Sequence, residues 1–149
     1  MDKIEEYLKK SDANEKRNEI FLQVFSDDLH EAGLAEKTIR KHLNNAEFYL
    51  NVYLDRAGVI PMEEGTSGYH LSDFMGYFFI RKCMWSTPAS IRSTAASLKK
   101  FYKCMLQHNK ITQEQYDELT DTIKYQIEDW QEDCARFNDP DAEDLFKSW

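Results

Sequence analysis

Basic side chains recur at helical spacing along residues 88–107: Arg92, Lys99, Lys100 and Lys103. Small residues such as Ser93 stand between these long cations, so a helix of this sequence can approach a charged surface closely. Phosphate backbones need this combination, because basic side chains neutralise phosphates while hydroxyls and helix-terminal N–H groups fix the register. Ser86 and Thr87, just before Pro88, place hydroxyls at the helix start. The segment predicts a nucleic-acid-binding helix; the alternative is a solvated lysine face with alanines that favour helicity.

A second basic group opens the segment 36–56. It comprises Lys37, Arg40 and Lys41, whereas the acidic Glu47 and Asp55 lie toward the far end. The helix dipole disfavours cations in the first turns by about 0.3–1 kcal/mol each. A helix selected for stability alone would reverse this order. The pattern therefore indicates that an anion binds at the start of this helix.

Catalytic patterns are absent from the sequence. The histidines fall on four separate segments without paired ligand spacing, and each is expected to be a surface or half-buried side chain: His30, His42, His70 and His108. The three widely spaced cysteines lack a C-x-x-C pair and predict free thiols in a reducing cytoplasm: Cys83, Cys104 and Cys134. No phosphate-binding glycine loop is present. We therefore expect no catalytic residue, metal, cofactor or small-molecule substrate.

Charge is unevenly distributed along the 149 residues. The chain has 19 basic and 27 acidic side chains, for a net charge of −8, which argues mildly against nucleic-acid binding. However, residues 74–113 carry seven basic and no acidic side chains, and residues 114–149 carry three basic and twelve acidic ones. With 42% apolar residues, only 5 glycines and 3 prolines, the composition predicts a packed helical domain. No apolar run is long enough to span a bilayer, and the N-terminus does not resemble a secretory signal.

Apolar residues follow a helical period nearly everywhere and predict an all-α bundle of four to six helices. We expect residues 1–13 to form a short N-terminal helix or extension, followed by helices over about 14–31, 36–56, 72–84, 88–107 and 112–134. Ser72 is the predicted N-cap of the third of these, which is apolar almost all round and should lie in the middle of the bundle. Gly33 is the predicted end of the helix over 14–31, and Thr112 and Gln115 are predicted to form a capping box. The tail from Phe137 is expected to be loose, unless Leu145, Phe146 and Trp149 dock it.

Three stretches share their order and spacing with a known family. They are Gly33-Leu34-Ala35-Glu36-Lys37-Thr38-Ile39 with Phe48-Tyr49-Leu50, then Leu71-Ser72-Asp73-Phe74-Met75-Gly76-Tyr77-Phe78, then Ser86-Thr87-Pro88-Ala89-Ser90-Ile91 through Ser97-Leu98-Lys99-Lys100-Phe101-Tyr102. Together they resemble the N-terminal core-binding domain of tyrosine recombinases, or phage integrases. The resemblance covers about residues 14–111, with Lys110-Ile111 at the turn that follows. It implies a SAM-like helical bundle that clamps one face of duplex DNA.

Two departures from that family are visible. Ala35 replaces the usual serine N-cap, which removes about 1 kcal/mol of capping. An acidic helix and tail occupy residues 112–149, where the family's catalytic domain, with its two arginines, histidine motif and tyrosine nucleophile, has no room. We therefore expect a non-enzymatic module, either a fragment of a longer recombinase or a free-standing relative. By resemblance, the basic positions of the two helices face DNA.

Two functions from different classes follow. The first is a cytoplasmic, non-catalytic DNA-binding module for DNA recombination or integration, which contacts duplex phosphates. The second is a protein–protein interaction or regulatory module of the same fold, in which the acidic helix 112–134 masks the basic face or binds a recombinase or another protein. A helical domain with no ligand identifiable from sequence is the third alternative.

Overall fold

The computed structural model describes residues 2–141, and within that range the chain is all-helical, without a β-strand. This confirms the predicted all-α class. Five helices form the described fold: α1 (Lys3–Glu31), α2 (Glu36–Glu47, continued by π-helical Phe48–Tyr53 and by Leu54–Arg56), α3 (Gly68–Asp73, continued by π-helical Phe74–Phe78 and by Phe79–Lys82), α4 (Pro88–Gln107) and α5 (Gln113–Asn138). A 3₁₀ turn, Met62–Thr66, connects α2 to α3.

Capping residues set the helix ends where the sequence predicts them. Gly33 adopts a φ of +79°, the left-handed conformation that ends α1. Thr87 caps α4 and is followed by Pro88, and Thr112 forms a reciprocal capping box with Gln115 at the start of α5. No side chain caps α2 at Ala35, as expected for an alanine at that position.

Two predicted helix starts were wrong. Residues 3–13 are not a separate extension; they continue directly into α1, held by hydrogen bonds from Tyr7 and Ser11 to the carboxylate of Asp55. Helix α3 begins at Gly68, because Ser67 caps it by accepting a hydrogen bond from the Tyr69 N–H. Ser72 lies inside the helix and instead donates to Gln126 of α5.

Helix α4 lies at the centre of the fold and packs against α1, α2 and α5. Its apolar residues recur every three or four positions, as the predicted helical period requires, and are buried: Ile91, Ala95, Leu98, Tyr102 and Met105. The sequence assigned the central position to α3, but one side of α3 is open, with Tyr77 43% exposed. An apolar helix can therefore lie at the edge of the bundle when aromatic residues form its outer face.

Aromatic side chains join α2 to α3, and two buried tyrosines hold the short 3₁₀ turn between these helices. The two π-helical segments place Phe48, Tyr49, Tyr53, Phe74 and Phe78 in ring contact, with centroids 4.8–6.2 Å apart. Two buried tyrosines fix the adjacent turn: Tyr49 donates to the Gly65 carbonyl and Tyr102 to the Met62 carbonyl, each at 2.7 Å. These bonds satisfy buried polar groups that are costly to leave unpaired.

Helix α5 packs its predicted apolar face against α4, with Leu119, Ile123, Trp130 and Cys134 buried. The three cysteines are free and buried, which confirms the free-thiol prediction. The predicted docking residues Leu145, Phe146 and Trp149 lie outside the described residues. Within residues 2–141, no helix has the length and apolar character needed to cross a membrane.

Candidate nucleic-acid interface

Helix α4 presents an exposed face that runs along its length, opposite the buried stripe. The face contains the predicted cations and the small residue between them: Arg92, Ala96, Lys99, Lys100 and Lys103. Because residues four and seven positions apart share one face of a helix, burying Ile91, Ala95 and Leu98 necessarily turns these cations outward. The alanine leaves the helix backbone accessible between the long side chains.

A buried polar contact joins this helix to α2. Ser97 is fully buried on the α2 side of α4, and its Oγ lies 2.8 Å from His42 Nδ1 and 2.9 Å from Asn45 Nδ2. The Asn45 amide donates to the Ser97 hydroxyl oxygen, and a hydrogen bond also joins this hydroxyl to His42 Nδ1. This three-residue contact fixes the distance between the two helices that carry the cations.

The two basic groups meet at His42. Burial lowers the pKa of His42, and the charges of Lys41 on α2 and Lys100 on α4 lower it further. One imidazole therefore experiences a cation from each helix. Lys37 lies one turn before Lys41 on the same face of α2, so both lysines of α2 lie on the side of that helix where it meets Lys100 of α4. We name the exposed cations of α2 and α4 the basic strip: Lys37, Lys41, Arg92, Lys99, Lys100 and Lys103. Within it, Arg92, Lys99 and Lys103 lie on the side of α4 that faces α5.

Two of the predicted contact residues lie outside this arrangement. Arg40 is exposed, but its helical position places it on the side of α2 that carries Leu43 and Glu47, which line a groove against α1 together with Glu15. Ser86 is only 3% exposed, and its hydroxyl donates to the Ile80 carbonyl at 3.1 Å. Ser86 therefore has a structural role, and the prediction that it contacts a ligand was wrong.

The remaining hydroxyls lie closer to the strip. Thr87 is exposed and caps α4: its Oγ1 accepts the Ser90 N–H at 3.0 Å, and its own N–H is accepted by Ser90 Oγ at 2.7 Å. Ser93 is half-buried, one turn before Ser97 on the side of α4 that faces α2. Both hydroxyls thus lie at the N-terminal end of the strip.

The basic strip is free of ion pairs within residues 2–141. The ion pairs of that part of the chain lie elsewhere, for example Lys16 with Asp12 and Arg17 with Glu63. Arg92 donates to the side chain of Gln131 at 3.3 Å, and the Lys103 ammonium lies 5.3 Å from the Tyr116 ring centroid. These contacts orient the side chains but leave their charge uncompensated.

Acidic residues border the strip on both sides. Toward α1 lie Glu15, Glu19 and Glu47. Toward α5, a groove of about 380 Å³ is lined by Arg92, Lys99 and Lys124 together with Asp121. The strip is therefore narrow, and a bound polyanion must follow α4 rather than spread across the surface.

Two features of this region were missed by sequence reasoning. His42 is buried, at 7% exposure, whereas it was expected at or near the surface; the other three histidines are exposed or half-buried as predicted. His42 lies three residues after Ile39 and four before Ala46, on the buried stripe of α2, and this spacing could have predicted its burial. Trp85, 61% exposed, lines a cavity of about 300 Å³ with Asn44, beside the start of α4. Trp85 lies in the short linker before α4 and belongs to no helix, and this position could have predicted its exposure.

Comparisons with protein families, with curated proteins and with solved structures give no match to this chain.

Proposed function

We propose that this chain is a non-catalytic module that binds duplex DNA through the basic strip. The observation that carries the proposal is that Lys41 of α2 and Lys100 of α4 act on the same imidazole while no cation of the strip has a carboxylate partner within residues 2–141. Unpaired cations in a row along two packed helices attract a linear polyanion. The resemblance to the recombinase core-binding domain supports the same partner and extends the proposal to DNA recombination or integration.

Binding of this kind is directed at phosphates and depends strongly on salt. If four of the six cations contact phosphates, the logarithm of the association constant falls with the logarithm of salt concentration with a slope of about −3.6. Between 50 and 200 mM salt, this corresponds to a loss of about 150-fold. The hydroxyls of Thr87 and Ser93 fix the position of the duplex on the strip.

The test is fluorescence anisotropy with a labelled DNA duplex over a range of salt concentrations. We expect saturable binding that Lys99→Glu with Lys100→Glu abolishes at moderate salt. A matched control is Lys9→Glu with Lys10→Glu, two exposed lysines in the first turns of α1. This region contacts Asp55, which lies about 21 Å along α2 from Lys41. Absence of binding at low salt, or equal loss in both double variants, would reject the proposal.

A regulatory protein-interaction module is the second candidate function, because the acidic helix α5 lies beside the strip and Asp121 shares a groove with Lys99. In that case α5 weakens DNA binding, and Asp117→Asn with Asp121→Asn strengthens it. Removing α5 altogether is unsuitable as a test, because Leu119 and Trp130 belong to the core. Equal DNA affinity of the neutralised and unchanged proteins would exclude masking.

A further inference from the structure

Three side chains with metal-binding atoms meet where the end of α1 contacts the end of α4. Asp28 Oδ2 lies 3.0 Å from Cys104 Sγ and 2.9 Å from His108 Nε2. All three potential ligand atoms lie within 4.8 Å of one another. This cluster lies at the C-terminal end of α4 and is independent of the DNA-binding proposal.

The helix geometry holds two of these ligands in place. Cys104 and His108 are four residues apart, so both project from the same side of α4, and the His108 N–H donates to the Cys104 carbonyl at 3.0 Å. Asp28 approaches from α1. Cys104 is buried, whereas the side chains of Asp28 and His108 are 32% and 42% exposed. The cluster is therefore anchored on one side and open to solvent on the other.

We propose that Asp28, Cys104 and His108 form a zinc(II) site that ties α1 to α4, with a water molecule as the fourth ligand. A thiolate, an imidazole and a carboxylate together match zinc, a borderline-soft ion, whereas calcium and magnesium prefer oxygen ligands. In a tetrahedral zinc site, ligand atoms are about 3.3–3.8 Å apart, as follows from metal–ligand bonds of about 2.0–2.3 Å. The separations of 2.9 and 3.0 Å need to lengthen by less than about 1 Å, and the Cys104–His108 separation, at most 4.8 Å, needs to shorten by at most about 1.5 Å.

Metal binding exchanges a proton for the ion. In the metal-free protein, burial and Asp28 raise the pKa of Cys104 to about 12, so its thiol is protonated and donates to the carboxylate. On binding, the thiol proton passes to solvent, and His108 coordinates through Nε2 while it keeps a proton on Nδ1. One thiolate and one carboxylate then neutralise the charge of the zinc ion.

The experiment titrates the full chain with cobalt(II), a spectroscopic substitute for zinc, and then with zinc(II). We expect one cobalt per chain, a thiolate-to-cobalt charge-transfer band, and its displacement by zinc together with a rise in melting temperature. Cys104→Ser should abolish the band, and His108→Asn should weaken binding by about tenfold or more. Circular dichroism verifies that each variant is folded. His108→Asn, at a partly exposed position, serves if Cys104→Ser fails to fold.

Two matched controls separate the proposed site from general thiol or histidine binding. Cys134→Ser removes a buried thiol outside the cluster, and His30→Asn removes a histidine that pairs with Glu36 at 2.8 Å without a nearby cysteine. Both controls should retain the band. Any of three outcomes would overturn the proposal and leave a hydrogen-bonded cluster. The band could be absent from the wild-type protein, survive in Cys104→Ser, or be lost in Cys134→Ser.

Discussion

The contact of Ser97 with His42 and Asn45 is the point where the two cation-bearing helices are joined, and Ser97→Ala removes it. The change leaves the buried His42 nitrogen without its hydrogen-bond partner, at about 1–3 kcal/mol, and the half-buried Asn45 amide without an acceptor, at about 0.5–1.5 kcal/mol. Alanine recovers about 0.5 kcal/mol of helix propensity. The free energy of unfolding should therefore fall by about 2 kcal/mol.

Urea denaturation followed by circular dichroism measures this change. With an m-value of about 2 kcal/mol/M, the midpoint should move down by about 1 M. Ser93→Ala is the matched control: it lies one turn earlier on the same helix, is half-buried and has no hydrogen bond to the described residues. Its effect should stay within about 0.5 kcal/mol. A similar effect from both substitutions would refute the inference that Ser97 joins α2 to α4.

Two further changes probe the same core. The stabilisation that depends on neutral His42 should decrease as pH falls below 6.5, because its lowered pKa means that the unfolded chain takes up a proton that the folded protein resists. Urea denaturation of wild type and His42→Gln at several pH values isolates this effect, because the contributions of the other histidines cancel when the two free energies of unfolding are subtracted. A difference in the free energy of unfolding that stays constant with pH would contradict the prediction. Gly76→Ala should destabilise α3 by about 1–3 kcal/mol, because the added Cβ would lie 2.9 Å from the Trp130 ring. A melting temperature equal to that of wild type would show that the ring moves aside freely.

Much of the fold follows from local signals in the sequence. Thr87 with Pro88 and Thr112 with Gln115 specify helix starts through hydrogen bonds within four residues, and Gly33 specifies a stop through its backbone conformation. Such signals depend only on neighbouring residues, so sequence reasoning located them correctly. The same local logic placed a cap at Ser72, whereas Ser67 caps the helix in the structure; both are serines, and only tertiary packing distinguishes them.

The contacts that define the two candidate sites are long-range and could be predicted only in part. The exposed cations of α4 followed from its apolar period, but the approach of Lys41 to Lys100 depends on how α2 packs against α4. Similarly, the spacing of Cys104 and His108 was a visible signal, yet Asp28 lies about 80 residues earlier and reaches them only through packing of α1 on α4.

A net charge of −8 is compatible with a cationic binding strip, because salt screens the repulsion between DNA and distant acidic residues more than it screens direct contacts between phosphates and cations. At about 0.15 M salt the Debye length is about 8 Å, so acidic residues beyond the borders of the strip are largely screened, whereas phosphates in contact with its cations are not. At about 0.01 M the Debye length grows to about 30 Å, and the whole acidic surface then repels DNA. The gain in affinity on lowering salt should therefore flatten at the lowest concentrations. This curvature would distinguish a narrow strip with acidic borders from a uniformly basic DNA-binding surface.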